Sequence, residues 1–252
     1  MVLLNNTEII RQVETELDTI RESLKNELIY EPFFCDFVYR FCWNSNSIEG
    51  NTLSLDETIG VIDYDEVRSG HTYAEYTEAK LLYKAIKEML KFEKQGITEN
   101  WIKQTNGIIM GNEGVYRNKN LYVGTLTEAV YYPPSFEKVP ELMKRFTEEF
   151  HDGYESAEKM IDAVSREHIS FERIHPFHDG NGRTGRMIMN QRLINNGWLP
   201  VTIENQSKYR QAFRRYEASK DLSMMVYIIC KGELASIRRV KELVNKLNII
   251  PM

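Results

Sequence analysis

The chain has 252 residues, enough for one large domain with a real core. Apolar residues make up 42% and charged residues 27%, which excludes a disordered chain and a membrane-embedded one. The net charge of −5 lacks the basic excess of nucleic-acid binders, so no nucleic-acid partner is expected.

Residues 7 to 28 carry Ile9, Ile10, Val13, Leu17, Ile20 and Leu24 at three-to-four spacing, which predicts a first helix. Pro32 suits the first turn of a second helix, which carries Phe34, Phe37, Val38 and Phe41 on to Glu49 and stops at Gly50-Asn51. Ser54-Leu55-Asp56-Glu57 reads as a capping-box start for a third. Residues 73 to 94 place Leu82, Ile86, Met89 and Leu90 on one stripe, ended by Gly96, and Thr98-Glu99 opens a helix that runs to about Met110. Residues 111 to 134 change character. Gly111, Gly114, Gly124 and Pro133-Pro134, with Tyr and Val between them, predict loop and a short hairpin. Helices resume at 136 to 151 and 156 to 173, and two more are expected near 207 to 217 and 221 to 247. The reading is all-α. Residues 1–65 pack as helices on a core of 66–220, and 221–252 add a last helix to the same unit.

The run HPFHDGNGRTGR, His175 to Arg186, concentrates the chemistry. Gly180 and Gly182 flank Asn181, so the backbone can take positive φ and turn several N–H groups one way. Met187, Ile188, Met189, Leu193 and Ile194 follow, as a helix with its N-terminus at this cradle requires. Orphan N–H groups and partial positive charge at a helix N-terminus favour a phosphate. Arg183 and Arg186 are three apart, share a helix face, and offer bidentate guanidinium forks. Asp179 is a hard oxygen donor of the kind that holds Mg²⁺ beside phosphates. His175 has the side chain best suited to take a proton near neutral pH. His178 reads as an exposed loop residue. His168 shares a stripe with Met160, Ile161, Val164 and Phe171 and reads as packed and structural.

This run resembles the signature of the Fic family, HPFx(D/E)GNGRxxR, at all nine specified positions. His168, Phe171 and Ile174 fit the family's approach to it. Gly114-Val115-Tyr116-Arg117 and Tyr122-Val123-Gly124 fit the segment leading into the family's flap. Ser45-Asn46-Ser47-Ile48-Glu49-Gly50 fits its inhibitory motif, (S/T)xxxE(G/N). The resemblance covers about residues 40 to 220 and implies a Fic-type helical bundle with a small β-hairpin flap. It implies transfer of AMP from ATP to a Ser, Thr or Tyr hydroxyl of a protein target, with self-modification included. Asn181 and the cradle N–H groups would hold the α- and β-phosphates, Arg183 the β-phosphate region and Arg186 the γ-phosphate. Asp179 would hold Mg²⁺, and His175 would accept the hydroxyl proton. In Doc-like phosphotransferases a Lys stands where this chain has Gly182, so the intact Gly favours AMP transfer.

By the same resemblance Glu49, with Ser45 and Gly50, inhibits from an N-terminal helix by pairing with Arg186, since one fork cannot fully serve a carboxylate and a phosphate. Tyr122, Val123, Gly124 and Thr125 would align the target on the flap, an edge that can hold an extended peptide. Tyr209 stands where relatives place an aromatic contact to adenine, and it reads equally as core. Two rival functions remain: removal of AMP with Glu49 positioning a water, and a non-catalytic ATP-binding regulator. The last helix, with Ile237, Val240, Val244 and Leu247, packs on the core or on a second copy in a homo-oligomer. Three widely spaced cysteines (Cys35, Cys42 and Cys230) fit reduced thiols in a cytoplasm. The start, MVLLNNTEIIRQVE, shows no secretory pattern. The longest apolar run, Met224 to Cys230, is too short to cross a bilayer, so no membrane partner is expected.

Overall fold

A computed structural model describes residues 5–124 and 129–249. Helix α1 is Thr7–Asp18, with Ile10, Val13 and Leu17 buried. It ends well short of residue 28. The Ile20 N–H bonds back to the Leu17 carbonyl, and Ser23–Lys25 is a 3-10 turn. The cause is Asn26, which takes extended backbone so that its side chain can cap α2, Glu27–Ile48, by accepting from the Leu28 N–H. Pro32 is therefore inside α2 and not in its first turn. The carbonyl it leaves unpaired belongs to Leu28, which is exposed, so water can serve it.

α3 is Leu55–Tyr64 and α4 is Tyr73–Met89, each opened by a complete capping box, Ser54 with Glu57 and Thr72 with Glu75. α4 stops before residue 94 because the Lys91 N–H is taken by Gln191 Oε1 at 2.9 Å. α5 runs Glu99–Met110 from the Thr98 cap to left-handed Gly111, as its sequence predicts. Strands β1, Val123–Gly124, and β2, Ala129–Tyr131, pair antiparallel with Val123 opposite Tyr131. Then come α6 (Val139–Glu148), α7 (Ala157–Ile174), α8 (Asn181–Asn195), α9 (Gln206–Ser219) and α10 (Ser223–Ile249).

α8 is the axis of the fold. Every one of its residues except Gly182 is buried, polar ones included. Burial of that kind requires partners, and neighbouring backbone supplies many of them. Asn190 donates to the Val201 carbonyl and accepts from its N–H. Gln191 donates to the Glu93 carbonyl, and Arg192 bonds Glu167 and Asp152. On one side, Met189 and Leu193 join a core built from α1, α7, α9 and α10. On the other, Met187 and Ile188 join a core built from α2, α4, α5 and α6. The apolar face of α10, with Ile237 and Val240 buried, packs on this chain's own core. Among the described residues, no helix is long and apolar enough to cross a membrane.

Candidate active site

The loop between α7 and α8 forms the cradle. Gly180 is the N-cap of α8 with φ 75°, and no side chain caps the helix, so its first N–H groups stay available. A Cβ on Gly180 would stand 2.8 Å from Asn106 Nδ2 and from Met110 Sδ. Asn106, buried on α5, donates to the Asp179 carbonyl (3.0 Å) and the Thr184 hydroxyl (3.2 Å) and so fixes the loop. Gly182 differs from the sequence expectation. Its backbone is helical and not left-handed; what a side chain there would crowd is the carboxylate of Glu49. A Cβ on Gly182 would lie 2.2 Å from Glu49 Oε1. The Asn181 side chain also turns away from an anion. It donates to the Phe177 carbonyl and accepts from the Phe177 N–H, both at 2.9 Å, so only the backbone near it faces the cradle.

His175 closes α7 in the left-handed region, φ 50°, a conformation a non-glycine residue holds only when its surroundings demand it. Arg117 makes the demand. Its N–H donates to the Pro176 carbonyl, its Nε to the His175 carbonyl at 2.9 Å, and its Nη groups to the carbonyls of Lys119 and Pro134. One buried guanidinium thus ties the turn at His175 to both ends of the flap. His175 Nδ1 faces the Glu172 carbonyl at 3.4 Å, so a proton there leaves Nε2 with its lone pair. Burial lowers the His175 pKa, outweighing the Glu172 carbonyl and the Glu49 and Asp179 carboxylates, which raise it. The imidazole is therefore neutral at neutral pH, the state a base needs.

One turn along α8, Arg186 makes three short hydrogen bonds. Its Nε donates to Ser45 Oγ (2.8 Å), and its Nη2 to the Ser45 carbonyl (2.9 Å) and Glu49 Oε1 (2.7 Å). Ser45 and Glu49 are four apart at the end of α2, hence on one face. Gly50 follows with φ 104° and turns the chain away. Burial raises the Glu49 pKa, but the Arg186 charge and hydrogen bond, with Arg183 and His175, bring it below its ordinary value. Glu49 keeps 38% of its side chain exposed, which leaves it a route out to solvent.

The Fic/DOC family profile matches residues 96–193. The chain is 31% identical over 181 residues to protein adenylyltransferase Fic of Drosophila willistoni, covering 68% of this chain and 35% of that one. The chain belongs to the Fic/DOC family. It is 29% identical over 214 residues to a probable protein adenylyltransferase of Aquifex aeolicus, covering 81% of this chain and 63% of that one. The chain spans between about a third and two thirds of the length of these curated relatives. Solved structures share its fold. Fic-1 of Caenorhabditis elegans superposes with a TM-score of 0.79 at 23% identity, covering 96% of this chain and 73% of that one. A Fic-domain signalling protein of Bacteroides thetaiotaomicron gives 0.78 at 22% identity, covering 94% and 97%.

Around this Fic centre the remaining residues fall into place unevenly. Arg183 is buried beside the cradle, 3.4 Å from Glu78 Oε1 and 3.7 Å from Asp179 Oδ1. Asp179 is 71% exposed at the cradle mouth. A single open carboxylate suits Mg²⁺, which takes one or two carboxylates and draws its other oxygens from phosphate and water. Tyr209 departs from its adenine role. It is buried, its hydroxyl meets His168 Nε2 at 2.6 Å, and its ring packs on His168 and Phe213. His168 also faces the Gly185 carbonyl, and burial, then the Arg186 charge, lower its pKa to about 3, so it is structural as expected. His178 is exposed and bonds Asn118. On the flap, Tyr122 is exposed and Val123 and Gly124 form β1; Thr125 lies outside the described residues. Tyr131 of β2 lies under the Arg173 guanidinium, and its hydroxyl donates to the Arg173 carbonyl, two residues before His175.

Sequence reasoning missed Asn106, Arg117 as an anchor, and Glu172. Asn106 interrupts the apolar stripe Ile102–Ile109, and Glu172 falls one turn after buried His168, so both left a signal. Burial pushes the Glu172 pKa up to about 8, with the Glu49 charge adding and the Arg186 charge opposing.

Proposed function

We propose that this chain is a protein adenylyltransferase, inhibited by its own Glu49, that moves AMP from ATP with Mg²⁺ onto a hydroxyl side chain of a protein, itself included. One observation carries the reading. Glu49, the protein's own anion, lies against Gly182 at an uncapped helix N-terminus, held by Arg186, in the same pocket as a neutral His175. That is where a triphosphate tail belongs.

The chain's residues then divide the work. The first N–H groups of α8 and the forks of Arg183 and Arg186 seat the phosphates, and Asp179 would hold the Mg²⁺ that neutralises their charge. The flap presents the target hydroxyl along an edge strand. Its oxygen attacks the α-phosphorus, Nε2 of His175 takes the proton, the bond to the bridging oxygen breaks, and pyrophosphate leaves. Little covalent chemistry falls to the protein, so positioning and charge stabilisation provide most of the acceleration. The base contributes about 10²–10⁴ in rate. Glu49 acts by competition for Arg186, a coupling of about 1–3 kcal/mol. A cytoplasmic setting, with ATP at hand and Cys35, Cys42 and Cys230 free, completes the proposal.

The test is incubation of wild type, Glu49→Gly and His175→Ala with Mg²⁺ and ATP radiolabelled at the α-phosphate. The expected result is strongest protein label with Glu49→Gly and none with His175→Ala. Equal label on wild type and Glu49→Gly removes the inhibitory role. No label in any folded variant, even with host lysate, removes AMP transfer.

A further inference from the structure

The two signature arginines are each met by a carboxylate, and the two pairings differ in character. Arg186 is tied by three short bonds. Arg183 keeps 3% of its side chain exposed, yet its Nε has no partner and its Nη2 reaches Met110 Sδ at 3.5 Å. Among the described residues, no oxygen accepts a hydrogen bond from it. Its charge is met by carboxylates without hydrogen bonds: ion pairs with Glu78 at 3.4 Å and Asp179 at 3.7 Å, and the more distant charge of Glu49. Five donors in a water-poor site with so little to bond to form an unmet demand for an anion.

Glu78 stands outside the cradle, on α4, and is itself held. Asn51 Nδ2 donates to Glu78 Oε2 (2.9 Å) and to the Glu75 carbonyl (3.0 Å). Asn51 lies two residues past Glu49, and its N–H donates to the Asn46 carbonyl at the end of α2. The segment that carries Glu49 to Arg186 is therefore hydrogen-bonded to the residue that faces Arg183.

We infer that Glu78 is a second affinity-setting carboxylate: it neutralises Arg183 in the nucleotide-free protein and competes with the β-phosphate for that guanidinium. The inference rests on the nucleotide reading above. The Glu78 pairing lacks hydrogen-bond geometry, whereas Glu49 accepts a 2.7 Å hydrogen bond from Arg186, so phosphate displaces Glu78 at smaller cost than Glu49. Once displaced, Glu78 remains tethered by Asn51 close to the phosphates and repels them. Removing its charge therefore tightens binding of any nucleotide that has a β-phosphate. If Glu78 instead served to hold Arg183 in place for the nucleotide, removing its charge would weaken binding, so the sign decides.

The experiment is titration calorimetry of AMP, ADP and ATP with Mg²⁺ on wild type, Glu78→Gln, Glu49→Gly and the double variant, with thermal melts to confirm folding. Glu78→Gln keeps an acceptor for Asn51 and loses only the charge. Glu78→Ala, which drops that bond as well, serves as a second variant with the same expected sign. The expected result is ADP and ATP binding tightened about three- to tenfold by Glu78→Gln in both backgrounds, with AMP unchanged. ADP binding unchanged or weakened overturns the inference and leaves the site reading intact. AMP tightened equally also overturns it, because the effect would then not act through Arg183. No ADP or ATP binding to any folded variant removes the nucleotide reading, and this inference with it.

Discussion

At the scale of single residues, the site is a set of charges whose states are fixed by burial and neighbours. His175 lies in a pocket that lowers its pKa, chiefly by burial, with the Arg117 charge in the same direction. Glu49 opposes that shift, so Glu49→Gly lowers the His175 pKa further. A base works in its deprotonated form, so activity is retained at neutral pH and lost as pH falls through this depressed value. In Glu49→Gly, the inflection in kcat/KM for ATP should lie below about pH 6.5, the ordinary histidine value. An inflection at or above that pH would show that the group titrating in the rate is not the buried imidazole seen here. Arg117 shows a second lesson at this scale. Its residue type is visible in the sequence beside the flap, but a buried Arg binding four carbonyls and carrying the turn at His175 looks, in one dimension, like any surface charge.

At the scale of elements, the first turn of α8 brings three parts of the chain together: the loop after α7, the end of α2 and the side of α5. Gly182 is where they crowd most closely. Because its backbone is already helical, alanine there favours the helix by up to about 1 kcal/mol. Its Cβ would nevertheless stand 2.2 Å from Glu49 Oε1, on the surface where the proposed phosphate seat lies. Gly182→Ala alone mixes two effects, expulsion of Glu49 and blockage of the nucleotide. Placed in Glu49→Gly, it isolates the second. The expected outcome of the double variant is ATP binding weakened at least about tenfold relative to Glu49→Gly, with an unchanged or higher melting temperature. Undiminished ATP binding, measured by calorimetry, would move the phosphate seat away from this turn.

At the scale of the whole molecule, local signals read well and distant pairings did not. The bounds of α5 follow from Thr98 and Gly111, and the capping box expected at Ser54-Glu57 formed there. The end of α1 did not follow, because an apolar stripe continues through a 3-10 turn as easily as through a helix, and Ile20 is buried either way. The burial of α8 on all sides was not legible, since nothing local to Asn190, Gln191 and Arg192 shows the distant backbone and carboxylate groups that partner them. Glu233 of α10 is a further case of a charged residue type placed inside. Its Oε1 accepts from the Leu199 N–H at 2.7 Å, and its Oε2 is buried with no partner. Burial raises its pKa to about 8, against the Leu199 hydrogen bond and the Arg21 charge, which lower it. The sign follows directly. Between the unfolded value near 4.3 and about 8, the folded state binds more protons than the unfolded one, so this group makes stability fall as pH rises through that window. Glu233→Gln keeps the acceptor for Leu199 and has no charge to desolvate. It should leave the melting temperature nearly unchanged near pH 4 and raise stability by about 1–3 kcal/mol near pH 9. Equal melting curves at both pH values would mean that Glu233 ionises inside the fold without cost, and that α10 opens enough to let water reach it.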